Sequence, residues 1–308
     1  MDPSPLAGTV ALVAGATRGC GRAIAVELGR AGAHVYATGR SSRVGGPSEM
    51  DRSETIEDTG DLVTAAGGTA TALPVDHEDP EAVAALVARI ESDHRRLDVL
   101  VNDIFGGDRY LEWRKPIWEH DLAGGLRMLR MGIDTHLVTI AHAVPLMLRS
   151  GGRLLVEMTD GPSDVNAEIR PGVGFYYDFV KGSVDRLVRA LGIDLADTSV
   201  TPVGVTPGWL RSEAMLDNFG VTEETWRDAI EWAPGFAISE TPTYVARGIA
   251  ALAADPHPTG IAGRVLTARD LSDRYATTDV DGSRPDAWGY IRDHGFGDKR
   301  TDLIPDYR

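Results

Sequence analysis

The sequence predicts a doubly wound α/β protein, a parallel sheet with helices on both faces, in one domain spanning residues 1–308. Three observations carry this: seven short apolar runs, helical periodicity between them, and a glycine-rich turn straight after the first run. The runs are almost continuously apolar, as strands covered on both faces must be. "TVALVAG" (9–15) leads into Gly15, Gly19 and Gly21 and then a helix whose apolar face includes Ile24 and Leu28. "HVYATG" (34–39) is the second run and "ATALPV" (70–75) the third, after which Val83, Leu86, Val87 and Ile90 recur at helical spacing. "DVLVN" (98–102) precedes a helix marked by Ile133, Leu137, Ile140, Ala141, Val144 and Leu148. "GRLLVEM" (152–158) precedes one marked by Val180, Val184, Leu187, Val188, Leu191 and Leu195, and "SVTPVGVTP" (199–207) and "GRVLTA" (263–268) complete the set. Residues 41–60, 105–121 and 208–240 interrupt the rhythm. Loops at the carboxyl ends of such strands build binding sites, so 105–121 and 208–240 are the expected pocket walls and lid. The polar tail from about residue 270 is expected to hug the surface.

Composition narrows the function classes. With 308 residues and 43% hydrophobic content the chain can bury a large core. A formal net charge of −15 opposes nucleic-acid and anionic-membrane partners, so an anionic ligand requires a local cluster of donors. Cys20 is the single cysteine, which excludes an intramolecular disulfide and a Cys-x-x-Cys metal site and favours a reducing, cytoplasmic setting. The start of the chain lacks a basic targeting region, and its apolar run "VALVAGA" falls short of the roughly 20 residues of a membrane span. The eight histidines show no metal spacing, and "DVDGS" (279–283) lacks the remaining acidic ligands of a calcium loop. No metal is expected.

The glycine turn suits a pyrophosphate, because Gly15, Gly19 and Gly21 allow close backbone approach and the helix N-terminus offers free N–H groups and a favourable dipole. The second run ends in Gly39 and Arg40, where an NAD-selective protein offers a carboxylate to the ribose. Arg40 and Arg18, with Thr17 or Ser41 beside them, form a clamp for a 2′-phosphate, which favours NADP(H); as solvated surface charges the arginines carry no such meaning. Further along, Tyr177 and Lys181 stand at i and i+4 on one helix face. A phenol of pKa about 10 is a poor base at neutral pH, and a nearby ammonium and a cationic nicotinamide both favour its ionised form.

Taken together these segments resemble the short-chain dehydrogenase/reductase family, and the tail "VLTARDLSDRYATTDVDG" resembles its dehydrogenase/reductase family member 1-like branch. The glycine turn is similar to the family's, with Ala14 in place of threonine. "LPVDHED" resembles the segment that meets the adenine, at Asp76 and His77. "LDVLVND" keeps the family's Asn102 but carries Asp103, Ile104 and Phe105 in place of the residues that usually come next. "VTPGWLRSEAM" resembles the turn lining the nicotinamide, with Pro207, Gly208, Leu210 and Ser212.

The resemblance implies a Rossmann-type sheet, hydride transfer between a carbonyl and an alcohol, a homodimer or homotetramer, Tyr177 as the catalytic tyrosine and Lys181 as its partner and ribose ligand. It also implies a backbone contact from Cys20 to phosphate. Two family positions depart. The helix asparagine falls at Gly132, and the serine falls at Asp160, or at Thr159 if the register shifts by one, with Ser163 a third candidate because the loop up to Tyr177 is longer than expected. An ionised Asp160 opposes phenolate formation, whereas a carboxylic acid there donates to a substrate oxygen as serine does. Gly132 leaves the proton relay to water. Aromatic residues of the two loops, Phe105, Trp113, Trp118, Trp209, Phe219, Trp226, Trp232 and Phe236, with Met215, either line a pocket for a hydrophobic substrate or anchor the loops. Three functions compete: an NADP(H)-dependent oxidoreductase, a non-catalytic NADP(H)-binding sensor or structural subunit, and a dehydratase or isomerase using Tyr177 and Asp160.

Overall fold

All seven apolar runs form strands. In the computed structural model, which describes residues 4–170, 172–297 and 299–308, β1 (Val10–Ala14), β2 (His34–Gly39), β3 (Thr69–Pro74), β4 (Val99–Asn102), β5 (Leu154–Met158), β6 (Thr201–Thr206) and β7 (Val265–Thr267) form one parallel sheet. The order is β3-β2-β1-β4-β5-β6-β7, so the direction of winding reverses between β1 and β4. Such a reversal leaves a crevice at the carboxyl ends of the strands, where ligands bind.

The helices are α1 (Gly19–Arg30), α2 (Ile56–Ala65), α3 (Pro80–His94), α4 (Leu122–Leu129), α5 (Thr135–Ser150), α6 (Ser163–Asn166), α7 (Phe175–Asp194), α8 (Glu213–Phe219), α9 (Pro242–Ala254), α10 (Ala268–Tyr275) and α11 (Ala287–His294). Their starts reflect local chemistry. Asp79 caps α3 ahead of Pro80, and Thr55 with Asp58 makes a reciprocal cap on α2. A π turn, Arg130–Asp134, joins α4 to α5, so residues 122–150 form one helical run that is long and apolar enough to cross a membrane by length and composition. Its Ala143, Leu146 and Met147 are instead buried against the sheet.

Two cores result. Ile24 and Leu28 of α1, Ile56 and Val63 of α2 and Ile249 and Leu252 of α9 cover one face of the sheet. Leu86 and Ile90 of α3, Leu146 of α5 and Leu191 of α7 cover the other. Each such side chain removed from water contributes about 2 kcal/mol.

The segment 208–240 splits by role. Phe219, Trp226 and Phe236 pack together as loop anchors, with Trp226 and Phe236 fully buried. The tail corrects the expectation of a surface-hugging extension. Residues of α11 and the turn after it, Trp288, Tyr290, Ile291 and Phe296, wall the central cavity, and Trp288 donates its indole N–H to the Pro207 carbonyl (2.7 Å). Its polar composition hid this, because the apolar positions of α11 are few and closely spaced.

Candidate active site

A cavity of about 970 Å3 runs along the carboxyl edge of the sheet from the glycine turn to the aromatic lid. At the glycine end, Gly15 adopts φ +87°, and a Cβ there would lie 2.3 Å from the Asp103 carbonyl oxygen. Only glycine closes that turn. The N–H of Gly19, at the start of α1, donates to Glu213 Oε2 from the lid helix α8 (2.9 Å), and Arg22 Nη1 lies 3.3 Å from Glu213 Oε1. A carboxylate of the chain itself therefore occupies the anion position that a helix N-terminus creates. Cys20 is buried, and burial first, then the surrounding carboxylates, push its thiol well up, leaving it inert.

The two arginines differ. Arg18 lines the cavity, and its guanidinium makes no hydrogen bond or ion pair among the described residues; burial lowers it from the ordinary range. Arg40 is engaged, with Nη1 at 2.8 Å from Glu49 Oε1 and 3.5 Å from Glu78 Oε1. Arg127 bridges the same two carboxylates, and its hydrogen bond is the main reason the Glu49 carboxyl is held down at about 2. Ser41 is also committed, its Oγ accepting the Ser48 N–H (3.0 Å). Thr17 lines the cavity, while its carbonyl accepts Arg22 Nη2 (2.5 Å). Asp76 sits at the cavity edge and caps the Glu78 N–H (3.0 Å).

His77 lines the cavity beside Asp76, and its ring nitrogens are both engaged within the protein. It is buried between Thr139 Oγ1 (2.7 Å from Nδ1) and Thr38 Oγ1 (2.8 Å from Nε2), and burial lowers it to about 4. Asn102 is likewise buried; its amide donates to Glu157 Oε1 (2.7 Å), and Glu157 pairs with His136, whose Nε2 meets the Ile104 carbonyl (3.0 Å). Burial works against a His136 cation, but the Glu157 charge and hydrogen bond outweigh it and raise the ring above its ordinary value. Asn102 braces the floor beneath the cavity, whereas His77 lines the cavity wall with both ring nitrogens held by the two threonines.

The reactive end is built on α7, which brings Tyr177 and Lys181 to the cavity one turn apart. Tyr177 donates its phenol proton to Asp160 Oδ2 (2.8 Å). The same oxygen accepts Arg170 Nη1 (3.0 Å), and Arg170 Nε donates to Asp178 (2.9 Å). Of the three candidates for the serine position, Asp160 alone meets the phenol. Thr159 is buried with its hydroxyl donated to the Lys181 carbonyl (2.8 Å), and Ser163 donates to Asp185. Lys181 Nζ lies 4.0 Å from the Phe105 ring centroid and 5.7 Å from that of Tyr177. The phenol is pushed well above its ordinary value, by burial first and then by Asp160, with Arg170 opposing. In this state the aspartate, not the lysine, dominates it.

The missing asparagine also has a physical reason. A Cβ on Gly132, in the π turn, would lie 2.4 Å from Val180 Cγ1 and 3.3 Å from Phe105. Those two apolar side chains fill the space. Asp103 reaches the cavity from the end of β4, and burial raises its carboxyl to about 7 against the pull of Lys181.

On the far side, Pro207, Gly208 and Leu210 line the cavity after β6, and Leu210 pairs its backbone with Glu240. Ser212 lines it too and caps α8 through Met215 (3.4 Å). Phe105, Trp113, Trp209, Met215 and Trp232 face the cavity, whereas Trp118 is exposed.

The family model described as enoyl-(acyl carrier protein) reductase matches residues 15–268. This chain belongs to the short-chain dehydrogenase/reductase (SDR) family. It is an SDR oxidoreductase of the member 1-like branch. Dehydrogenase/reductase SDR family member 1 of Mus musculus is 29% identical over 285 residues, 91% of this chain and 85% of the mouse protein. Versicolorin reductase stcU of Emericella nidulans is 29% identical over 262 residues, 82% of this chain and 92% of that one. Among solved structures, a short-chain dehydrogenase/reductase from Serratia marcescens superposes with a TM-score of 0.67 at 27% identity, covering 85% of this chain and 97% of its own.

Arg170, Glu213, Asp103 and the Glu49–Glu78–Arg127 cluster are site residues of this SDR chain that its motifs do not disclose. Arg170 left one signal: it is the only lysine or arginine between Asp160 and Lys181, and a carboxylate at a buried site needs a cation. Glu213 left none, since its contact spans 194 residues of sequence.

Proposed function

We propose that this SDR chain is an NADP(H)-dependent oxidoreductase that interconverts a carbonyl and an alcohol on a hydrophobic substrate, with Tyr177 handling the substrate proton. The observation that carries the reading is the single cavity with the Gly15–Gly21 turn at one end and Tyr177 with Lys181 at the other, under an aromatic lid. The residues fit a dinucleotide: Gly15 and Gly21 leave no room for side chains, and the N–H of Gly19 faces an anion position. When bound, the nicotinamide supplies or takes the hydride.

In this reading the α1 N-terminus, with the backbone of Thr17, Cys20 and Gly21, receives the pyrophosphate once Glu213 withdraws. The Arg18 guanidinium has no hydrogen-bond or ion-pair partner among the described residues and favours a 2′-phosphate, with Arg40 a weaker contributor because Glu49 and Glu78 already neutralise it. Asp76 edges the adenine, Lys181 holds the ribose, and Pro207, Gly208, Leu210 and Ser212 flank the nicotinamide. Trp113, Trp209, Met215 and Trp232 exclude water and contact the apolar substrate. Exposed Leu126, Leu137 and Leu148 on the 122–150 run, with Phe175 and Phe179 on α7, supply an apolar face for a second copy in a dimer or tetramer. The acidic chain would work in the cytoplasm.

The test is NADPH and NADH oxidation against a panel of hydrophobic ketones. Turnover with NADPH preferred, lost in Tyr177→Phe while NADPH affinity holds, supports the reading. Equal behaviour of the two proteins overturns it in favour of a non-catalytic cofactor-binding subunit. The phenol–carboxylate hydrogen bond also suits a dehydratase or isomerase, which would form product without net change in NADPH absorbance.

A further inference from the structure

We infer that Asp160 is the proton acceptor behind Tyr177 and that Arg170 is the residue that positions and balances it, so that the proton path of this site runs through an aspartate–arginine pair. The inference rests on the oxidoreductase reading and goes beyond it in assigning Arg170 and a direction of proton flow.

The geometry fixes the hydrogen. Tyr177 gives its one proton to Asp160 Oδ2 (2.8 Å) and has no second hydrogen-bond partner among the described residues, so the phenol oxygen is open to accept a proton from a substrate alcohol. Asp160 is partly exposed to the cavity, its side chain 34% accessible, whereas the Arg170 side chain is 8% accessible. Arg170 is held from behind by Asp178 Oδ1 (2.9 Å). It comes from the loop that separates β5 from α7, so the added length of that loop delivers a cation to the added carboxylate. At the same time Val180 and Phe105 close the space beside Gly132. One proton route is filled with apolar atoms, and another is built.

Alcohol oxidation balances along this path. The C–H bond breaks with its electron pair leaving as hydride to an oxidised nicotinamide dinucleotide. The alcohol O–H proton passes to the Tyr177 oxygen, and the proton Tyr177 already shares passes to Asp160 Oδ2. The products are ketone, reduced dinucleotide and a protonated Asp160, which loses its proton to the cavity water. Carbonyl reduction runs the same path in reverse. Tyr177 never has to exist as a free phenolate, which removes the difficulty posed by an anionic neighbour. The charged groups around the pair are Arg170 and Asp178, Lys181 one turn along α7, and Asp108 from the loop after β4.

The experiment compares wild type, Arg170→Gln, Arg170→Lys, Asp160→Ser and Tyr177→Phe by the pH profile of alcohol oxidation and by the ultraviolet phenolate difference spectrum against Tyr177→Phe. The relay predicts that Arg170→Gln moves the acidic limb up by about one pH unit or more, a loss of about tenfold in kcat at pH values below the limb, with KM little changed. Arg170→Lys restores most of it. Asp160→Ser abolishes that limb, brings phenolate absorbance to lower pH, and makes oxidation depend on it. An unchanged limb in Arg170→Gln and Asp160→Ser, with Tyr177→Phe inactive, overturns the relay and leaves the oxidoreductase reading intact. An active Tyr177→Phe overturns both. If Arg170→Gln fails to fold, the Asp160→Ser profile and spectrum decide alone.

Discussion

Glu213 offers a quantitative test of where the dinucleotide binds. Its carboxylate holds the Gly19 N–H at 2.9 Å and faces Arg22 at 3.3 Å, and pyrophosphate seeking the α1 N-terminus must displace it. A hydrogen bond to a charged acceptor contributes about 1.5–3 kcal/mol, and the partly exposed ion pair adds less than about 1 kcal/mol. Water and the relaxed lid recover part of this on displacement, leaving a penalty of about 1–2 kcal/mol. At about 1.4 kcal/mol per decade, removing the carboxylate tightens NADPH binding by about 5- to 30-fold. Titration of NADPH fluorescence with wild type, Glu213→Gln and Glu213→Ala measures this directly. Gln keeps an acceptor without the charge, so it should fall between the other two. The difference should shrink at high salt, because the partly exposed ion pair is screened. An affinity that stays within twofold or weakens in Glu213→Ala refutes the reasoning, and means that Glu213 is a lid strut outside the phosphate site.

The geometry sets four further outcomes. His77 stays neutral down to about 4 in the fold, whereas an unfolded histidine protonates near 6.5; the unfolded state therefore binds more protons between those values, and stability declines as the pH drops through that window, by up to about 3 kcal/mol. Denaturant midpoints from pH 7 to 4 should show this slope, and His77→Gln should flatten it. Gly132→Asn cannot restore the family asparagine, since its Cβ meets Val180; thermal unfolding should report a loss of about 1–3 kcal/mol with no gain in turnover. Trp288→Phe removes the indole bond to the Pro207 carbonyl, which keeps the Thr206 hydroxyl as its other donor, so the cost is about 0.5–1.5 kcal/mol by thermal unfolding, with KM for substrate raised. Arg18→Ala should weaken NADPH by about tenfold or more while changing NADH affinity much less, a ratio read by the same fluorescence titration.

The layout of the sheet was legible because strands buried along their length, as β1, β4 and β5 are, leave short continuous apolar runs set between helical patterns. Each predicted run became a strand: 34–39 is matched end to end, 70–75 is shifted back by one residue, and the other five are trimmed by one to three residues. The glycine turn and the Tyr177–Lys181 pair were legible because both are local, set by a turn and by one helix face. What escaped was everything settled across space. His77 lines the cavity as its position suggests, but two threonines 39 and 62 residues away hold both ring nitrogens, which the sequence does not show. Thr159 and Asp160 are adjacent and alternate in direction at the end of β5, so only the packing of α7 decides that Thr159 turns to a backbone carbonyl and Asp160 to the phenol. Arg40 looks free in sequence, and the carboxylates that neutralise it arrive from two other segments. The tail was misjudged because a short helix with few apolar residues gives little periodic signal, although Trp288 and Tyr290 bury almost completely.

Passage of a hydride between a nicotinamide and a substrate carbon, with Tyr177 managing the proton, is the core of the proposed chemistry. It is tested most directly by incubating wild type and Tyr177→Phe with a ketone from the active panel and NADPH carrying deuterium at both C4 positions, and weighing the product by mass spectrometry. Hydride transfer predicts an alcohol one mass unit heavier than the unlabelled product, formed by wild type and reduced by about a hundredfold or more in Tyr177→Phe. Product without deuterium, or equal product from both proteins, contradicts it.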